Sequence, residues 1–225
     1  MLNLSGGSSQ KDRISFYTPD NGATAIRNKN GKITIEYEKE DTFSLNDIAV
    51  FFGILSFFPI VKTFVLLPLI EIKTIGIVWY LIPTFFYFLL AIISIILVRK
   101  DYGEDFLKNH GAEHMVFSAY MKLKRIPTVE ESKHFSRINR SCGITIYSSY
   151  ITAQLIGFIL YFNTSYIIPE VILFFIPLLF RKIFPFNFLG KIFQLFLTSK
   201  PEKCNIELAI VALSALEHKE LLKNI

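Results

Sequence analysis

The chain alternates between polar stretches and long apolar ones. Residues 1–42 are polar, and within them residues 24–37 form two short alternating runs separated by Asn-Lys-Asn-Gly. Such runs on either side of a turn sequence predict a small β-hairpin. A membrane-spanning helix needs roughly 20 mainly apolar residues. The sequence therefore predicts a mainly α, multi-pass helical membrane protein with about four spans and a small N-terminal β-hairpin. The predicted spans are Ile48–Ile70, Ile75–Val98, Ile144–Phe162 and Ile167–Phe180.

The first apolar stretch leaves the number of spans open. Proline and lysine residues interrupt Ile48–Ile70, which could cross with kinks, lie re-entrant or follow the interface. Nine Lys or Arg lie between Arg99 and Cys142 and seven from Arg181 onward, whereas the turn Asn163–Tyr166 has none. With four passes, which we favour, this asymmetry places both termini and the central loop on the cytosolic side. With three passes the hairpin lies outside.

The same pattern predicts five parts. They are a polar hairpin segment (1–43), two membrane helices (44–98), a cytosolic loop (99–143), two further membrane helices (144–182) and interfacial and C-terminal cytosolic helices (183–225). In the last part, residues 184–197 predict an amphipathic or interfacial helix. The apolar spacing of residues 205–222 predicts a helix that docks on another element.

Composition agrees with a membrane protein and excludes several other classes. Hydrophobic residues make up 52% of the chain and charged residues 19%, which excludes a disordered or coiled-coil protein. Only two cysteines are present, Cys142 and Cys204, so a disulfide scaffold is excluded and a reducing, cytosol-facing location is favoured. A net charge of +5 is compatible with nucleic acid, but positive-inside placement of Lys and Arg produces it as well.

The central loop carries the residues best suited to chemistry. His110-Gly-Ala-Glu113-His114 places two imidazoles one helical turn apart, a spacing that lets them hold one zinc ion. The order H-x-x-E-H is that of inverted zinc peptidases, in which the glutamate is the general base. Cys142, as a thiolate, is suited to be a third zinc ligand. The alternative for these residues is a helix with surface histidines and a small buried cysteine.

A second helix is predicted after Pro127. Thr128 and Glu131 have the spacing of a capping box, which opens a helix to about Ile138. His134 lies on this helix, either as a solvated residue or as a further ligand.

Several motifs together resemble the YqhQ-like family of bacterial multi-pass membrane proteins. The resemblance rests on the segments around His110–His114, Pro127–Glu130, Ser136-Arg137 and Cys142-Gly143, and it extends to Gly6-Gly7 near the start and Thr198, Pro201 and Ile206-Glu207 near the end. It implies a location in the bacterial cytoplasmic membrane and a metal-dependent protein of undetermined activity. The metal site that it implies contains His110, Glu113, His114 and Cys142, with Glu207 as an additional carboxylate.

The chain also departs from that family. Asn139 stands where the family has a histidine, and an amide oxygen is a poor zinc ligand. His134 is the nearest histidine that could replace it. The residues after Gly7 also differ from the family motif. The sequence therefore predicts a divergent member, whose metal binding is either kept in altered form or lost.

Three classes of function follow. The first is a zinc-dependent hydrolase at the cytosolic membrane face, with Glu113 as general base. The second is a non-enzymatic factor for membrane-protein assembly, or a scaffold associated with the translocon or ribosome. A transporter ranks last, because few ionisable residues lie in the apolar stretches.

The second class depends on a group of basic residues in the central loop. They could bind anionic lipid, ribosomal RNA or an acidic protein, or reflect only the positive-inside bias. The lipid bilayer itself and a second copy of the chain are the other partners considered. The basic residues are Lys122, Lys124, Arg125, Lys133, Arg137 and Arg140.

Overall fold

The computed structural model describes residues 2–38, 82–139, 142–164 and 187–223, together with residues 172 and 179. The strands are β1 (Gly6–Ser9), β2 (Arg13–Tyr17), β3 (Gly22–Arg27) and β4 (Ile33–Glu38), and the helices are α1 (Ile82–Leu123), α2 (Val129–Lys133), α3 (Gly143–Thr164), α4 (Phe188–Leu197) and α5 (Lys203–Leu222). The chain divides into two compact units. The first comprises Met1–Asp41, Ile95–Asn139 and Gln194–Ile225, and the second Thr42–Ser94 and Arg140–Phe193.

A four-stranded antiparallel sheet in the order β1-β2-β3-β4 forms one layer of the first unit. Alternate residues of its central strands, such as Phe16 and Ala23, are fully buried and face the core. The turn between β3 and β4 contains Gly31 at φ 79°, a left-handed conformation that glycine adopts at little cost. In that turn the Asn28 N–H donates to the Lys32 carbonyl at 2.9 Å, which fixes the register of the two strands.

Two helices cover the sheet in the first unit. α5 packs against β2 and β3 and buries Leu213 and Leu216. α1 is bent at Gly103, where φ is 70° and ψ is −169°, and its second half contributes Val116 and Tyr120 to the same core. The Tyr120 hydroxyl also accepts a hydrogen bond from the Leu2 N–H at 2.7 Å, which ties the start of the chain to α1.

The short helix α2 begins at the predicted cap. The Thr128 side chain accepts from the Glu131 N–H, and the Glu131 carboxylate accepts from the Thr128 N–H at 2.8 Å, so the predicted capping box is confirmed. The helix ends at Lys133, earlier than predicted, because His134 already occupies its C-cap position. A helix in the last part of the chain is also confirmed, as α5.

In the second unit, α3 carries hydroxyl groups that bond to its own backbone. Ser149 donates to the Thr145 carbonyl at 2.6 Å and Thr152 to the Ser148 carbonyl at 3.1 Å, so these buried hydroxyls are satisfied within the helix. A Cβ at Gly190 of α4 would lie 2.7 Å from the Ser148 hydroxyl. The glycine therefore allows α4 to approach α3 closely.

The prediction of a mainly α, multi-pass membrane protein is wrong. None of the helices in the described parts of the chain combines the length and the apolar content that crossing a bilayer requires. α3, which contains the predicted span Ile144–Phe162, is interrupted by polar residues and buries Tyr150 and Ile151 inside the protein. The predicted location in the bacterial cytoplasmic membrane, with both termini cytosolic, is also wrong, because it depended on such spans.

The other predicted spans lie wholly or partly beyond the described residues. Ile48–Ile70 is outside them, Ile75–Val98 is described only from Ile82, and Ile167–Phe180 only at two positions. The small N-terminal hairpin also needs correction. Its two runs form β3 and β4, but these strands belong to a four-stranded sheet packed against helices.

Candidate metal centre

The H-x-x-E-H segment lies on α1, in the half that follows the bend at Gly103. The His110 and His114 rings are one turn apart, with centroids 4.4 Å from each other and planes at 62°. The His114 side chain is 2% exposed and that of His110 15%. The histidines therefore do not belong to a solvated surface, which was the alternative interpretation of the motif.

Each imidazole is oriented by a backbone carbonyl. His110 Nδ1 lies 3.1 Å from the Leu197 oxygen, and His114 Nδ1 lies 2.6 Å from the Arg137 oxygen. A carbonyl can only accept, so both Nδ1 atoms carry the proton and both Nε2 atoms keep a lone pair. Metal-binding histidines are commonly fixed in this way. Leu197 is the last residue of α4, so its carbonyl lacks an i+4 partner in the helix.

Glu113 lies against both imidazoles. Its Oε2 is 4.0 Å from His110 Nε2 and 4.0 Å from His114 Nε2, and its side chain is 6% exposed. These separations are too long for hydrogen bonds. A Cβ at Gly7 would lie 2.7 Å from Glu113 Oε1, so the glycine lets β1 cover the carboxyl group.

Burial shifts the pKa of all three groups toward their neutral forms. It raises the pKa of Glu113 to about 8. Burial and the neighbouring His110 lower the pKa of His114 to about 3, and burial lowers the pKa of His110 as well. Neutral imidazoles are the form that binds metal, and a cation would stabilise the buried carboxylate. The donor set therefore fits a divalent metal.

His110, His114 and Cys142 each offer one metal-ligand atom, an imidazole nitrogen or a thiol sulfur. Two imidazoles and a thiolate form a ligand set found in zinc sites that keep one position open for water. His110 and His114 belong to the first unit. Cys142 belongs to the second, where it directly precedes α3.

The loop that supplies the Arg137 carbonyl is held by a glutamine. Gln194 Oε1 accepts from the Asn139 N–H at 2.7 Å, and Gln194 Nε2 donates to the Asn139 carbonyl at 2.9 Å. Asn139, which replaces the histidine of the resembling family, is thus tied to α4 through its backbone. Because Arg137 is only two residues away, this pair of hydrogen bonds also positions the carbonyl that orients His114.

On the neighbouring face of α1, a buried asparagine ties the helix to the sheet. Asn109 Nδ2 donates to the carbonyls of Gln10 and Lys11, and its Oδ1 accepts from Asn205 Nδ2 at 2.8 Å. Asn205 Oδ1 in turn accepts from the Glu202 N–H at 3.0 Å at the start of α5. The two asparagines therefore link α1, the β1–β2 turn and α5 beside His110.

The structure does not include two of the additional candidates in the metal-binding group. His134 is exposed at the C-cap of α2. The Glu207 carboxylate pairs with Lys203 at 3.6 Å and its side chain is 44% exposed. Neither is among the described residues that could hold a metal together.

The basic residues of the central loop are partly neutralised by acidic neighbours. Arg125 pairs with Glu131, and Lys133 with Glu130 at 2.7 Å. Lys122 lies over the Phe135 ring at 6.0 Å. Lys124 is exposed, Arg137 is half-buried, and Arg140 lies outside the described residues. Binding of a partner by these residues stays a prediction.

Sequence reasoning missed the groups that orient the histidines. The Leu197 and Arg137 carbonyls are backbone atoms, which leave no residue-type signal. Gln194, a polar residue within an apolar stretch, did carry one. So did Gly111, because a glycine inside a helical pattern often marks a close approach. A Cβ at Gly111 would overlap the Ser199 carbonyl oxygen.

The first unit thus has two layers, with helices packed on an antiparallel sheet. One of these helices, α1, carries His110 and His114, two residues suited to bind a metal, of which His114 is the more deeply buried. The chain matches the model of a family described as "Protein of unknown function (DUF1385)" over residues 21–187. Because this match covers more than half of the chain, the chain belongs to that family. No curated protein and no solved structure matches it. The matched range contains His110, Glu113, His114 and Cys142.

Proposed function

We propose that the protein is a zinc-dependent hydrolase. One observation carries the proposal. Two imidazoles, each fixed through Nδ1 by a carbonyl, have their Nε2 atoms 4.0 Å from the same buried carboxylate oxygen of Glu113. Orienting two neutral imidazoles and burying a carboxylate beside them costs free energy, and a bound cation offsets that cost.

His110, His114 and Cys142 are the proposed ligands. The covalent chain supports Cys142, because it is five residues after Arg137, whose carbonyl contacts His114, and five extended residues reach at most roughly 17 Å. A thiolate with two neutral imidazoles leaves a fourth position open for water. We also propose that the chain is a divergent member of the YqhQ-like proteins within its family, which the segments around His110 and Cys142 support.

The chemistry follows from the environment of Glu113. Zinc, when bound, lowers the pKa of a neighbouring water to about 7. Beside that positive charge the Glu113 carboxyl would be ionised, and its Oε2 would accept the proton that the water loses as it attacks the substrate. The carboxyl group then donates the proton to the leaving group. Burial under β1 keeps the proton on Glu113 between these two steps, because bulk solvent is excluded.

Metal analysis of the purified protein tests the site. We expect close to one zinc per chain in the unmodified protein and none in the His110→Ala/His114→Ala variant, measured by mass spectrometry of the metal. The matched control is His134→Ala/His218→Ala, which removes the two exposed histidines and should keep the metal. Absence of metal from the unmodified protein, or equal metal in all three proteins, would overturn the proposal.

A second measurement tests the reaction. The Glu113→Gln variant should retain zinc but lose hydrolysis of chromogenic ester, peptide or phosphodiester substrates, because the amide cannot accept the proton. If the zinc-loaded protein hydrolyses none of these substrates, or if Glu113→Gln is equally active, the hydrolase proposal fails and a structural metal site is left.

A further inference from the structure

β4 is the outermost described strand on its side of the sheet in the first unit. β4 is at one end of the strand order, and its Ile35 and Tyr37 side chains are 43% and 51% exposed. Exposed edge strands present unpaired backbone groups, to which another strand can add. We propose that β4 pairs antiparallel with β4 of a second copy of this chain, which joins the two sheets about a two-fold axis.

The backbone pattern identifies the groups that are available. The Asn28 N–H bonds to the Lys32 carbonyl, and hydrogen-bonded pairs alternate along an antiparallel ladder. Thr34 therefore directs its N–H and C=O toward β3, in register with Ile26, whereas Ile33 and Ile35 direct theirs outward. No described residue pairs with β4 on that outer side.

The side chains favour a second copy as the occupant. If Thr34 lies on the two-fold axis, Lys32 of each copy stands opposite Glu36 of the other, so two ion pairs form at once. Ile33 then stands opposite Ile35 on the core-facing side, and the outward N–H and C=O groups of these residues pair with each other. This self-complementarity needs Lys32 and Glu36 at equal distances from Thr34, which the sequence provides.

Two other registers are less favourable. One is a shift by a single residue, which places a residue with outward N–H and C=O groups opposite Thr34. The backbone donors and acceptors of the two edges then do not face each other. The register centred on Glu36 places two like charges directly opposite each other, which is destabilising. The register about Thr34 avoids both costs and covers the exposed Ile35.

Removing one outward N–H tests the interface. In Ile35→Pro the missing N–H is one that β3 does not use, as expected for a proline tolerated on an edge strand. Ile35→Thr keeps the N–H and a β-branched side chain, and is the matched control. By sedimentation equilibrium of the full chain we expect a reversible dimer for the unmodified protein and the control, and a monomer for Ile35→Pro.

A charge exchange tests the register without a proline. Lys32→Glu and Glu36→Lys should each raise the dimer dissociation constant about tenfold or more, because each change acts twice in a symmetric interface. The double variant Lys32→Glu/Glu36→Lys should restore it. A monomer at every concentration, a dimer that withstands Ile35→Pro, or singles without effect would overturn the proposal.

Discussion

Glu113 has its carboxyl group buried against two neutral imidazoles in the candidate metal centre. Its side chain is 6% exposed, and burial alone accounts for the rise of its pKa to about 8. In the unfolded chain the same carboxyl has a pKa near 4.5. Between pH 4.5 and about 8, this carboxyl group therefore keeps its proton in the metal-free folded protein but loses it in the unfolded chain.

This difference predicts an unusual pH dependence of stability for the metal-free protein. Below pH 6.5 the lowered pKa values of the two histidines make stability increase with pH, which opposes the effect of Glu113. Between pH 6.5 and 8 the effect of Glu113 exceeds that of the histidines, which lose their last protons in the unfolded chain. The free energy of unfolding should therefore fall by about 1 kcal/mol across that interval, because one titrating group contributes at most about 1.4 kcal/mol per pH unit. Urea denaturation in the presence of a chelator measures it.

The Glu113→Gln variant provides the comparison for this prediction. Because the amide does not titrate, its free energy of unfolding should not decrease between pH 6.5 and 8, and the histidines should raise it slightly. An equal decrease in both proteins would show that Glu113 is not the group responsible.

At the residue scale, sequence and structure agree where chemistry depends on residue type. The spacing of His110, Glu113 and His114 predicts one turn of one helix, and the structure confirms it. Nothing in that spacing predicts that Leu197 and Arg137 provide the orienting carbonyls, since any residue has a carbonyl. Such partners depend on where distant segments pack, and that requires the fold.

At the element scale, α1 is held close to the segment that follows α4. A Cβ at Gly111 would overlap the Ser199 carbonyl oxygen, and the Ser199 N–H donates to the Leu107 carbonyl at 2.9 Å. The contact is with backbone, which cannot move aside as a flexible side chain can. Since Leu197 lies two residues earlier, this contact also determines where His110 is anchored.

The Gly111→Ala variant should therefore be destabilised, although alanine favours helix by about 1 kcal/mol over glycine. Overpacking costs typically 1–3 kcal/mol, so we expect a net loss of about 1 kcal/mol and weaker zinc binding. Thermal melts and zinc titration measure the two effects. Gly6→Ala is the control, because a Cβ there meets nothing within 4 Å. A Gly111→Ala variant as stable as the unmodified protein would contradict the close contact.

Elements determined by residues that are close in sequence were predictable, whereas those determined by packing against distant segments were not. Thr128 and Glu131 satisfy one another within four residues, so the start of α2 follows from sequence. An apolar stretch does not reveal what covers it, because a membrane helix and a buried helix draw on the same residue types. In α3, Tyr150 and Ile151 are buried by protein, which is why the predicted span Ile144–Phe162 is wrong.

At the scale of the whole molecule, the two ends of the chain meet. Glu220 of α5 accepts hydrogen bonds from the Thr18 hydroxyl at 2.6 Å and from Asn21 Nδ2 at 2.7 Å, and these bonds lower its pKa. The hydrogen bond to Thr18 joins residues separated by 202 positions. The sheet, and with it the Gly7 cover of Glu113, is thus secured by the last helix.

Replacing Glu220 tests this tie. Glu220→Ala should lower the free energy of unfolding by about 1–2 kcal/mol, because Thr18 and Asn21 each lose a charge-assisted acceptor. Glu217→Ala removes a carboxylate from the same helix and should change stability by at most about 0.5 kcal/mol. Urea denaturation of both variants compares them, and equal losses would contradict a specific role for Glu220.

The meeting of the chain ends also orders events during biosynthesis. β2 and β3 leave the ribosome well before α5, against which they pack, is translated. At about 5–20 residues per second, the strands wait roughly 10–40 seconds for their partner. The Leu197 carbonyl that orients His110 arrives equally late, so the histidines emerge before their anchor exists. If the chain binds zinc as proposed, loading follows the synthesis of residue 197, and a nascent chain stalled before that residue should not acquire the metal.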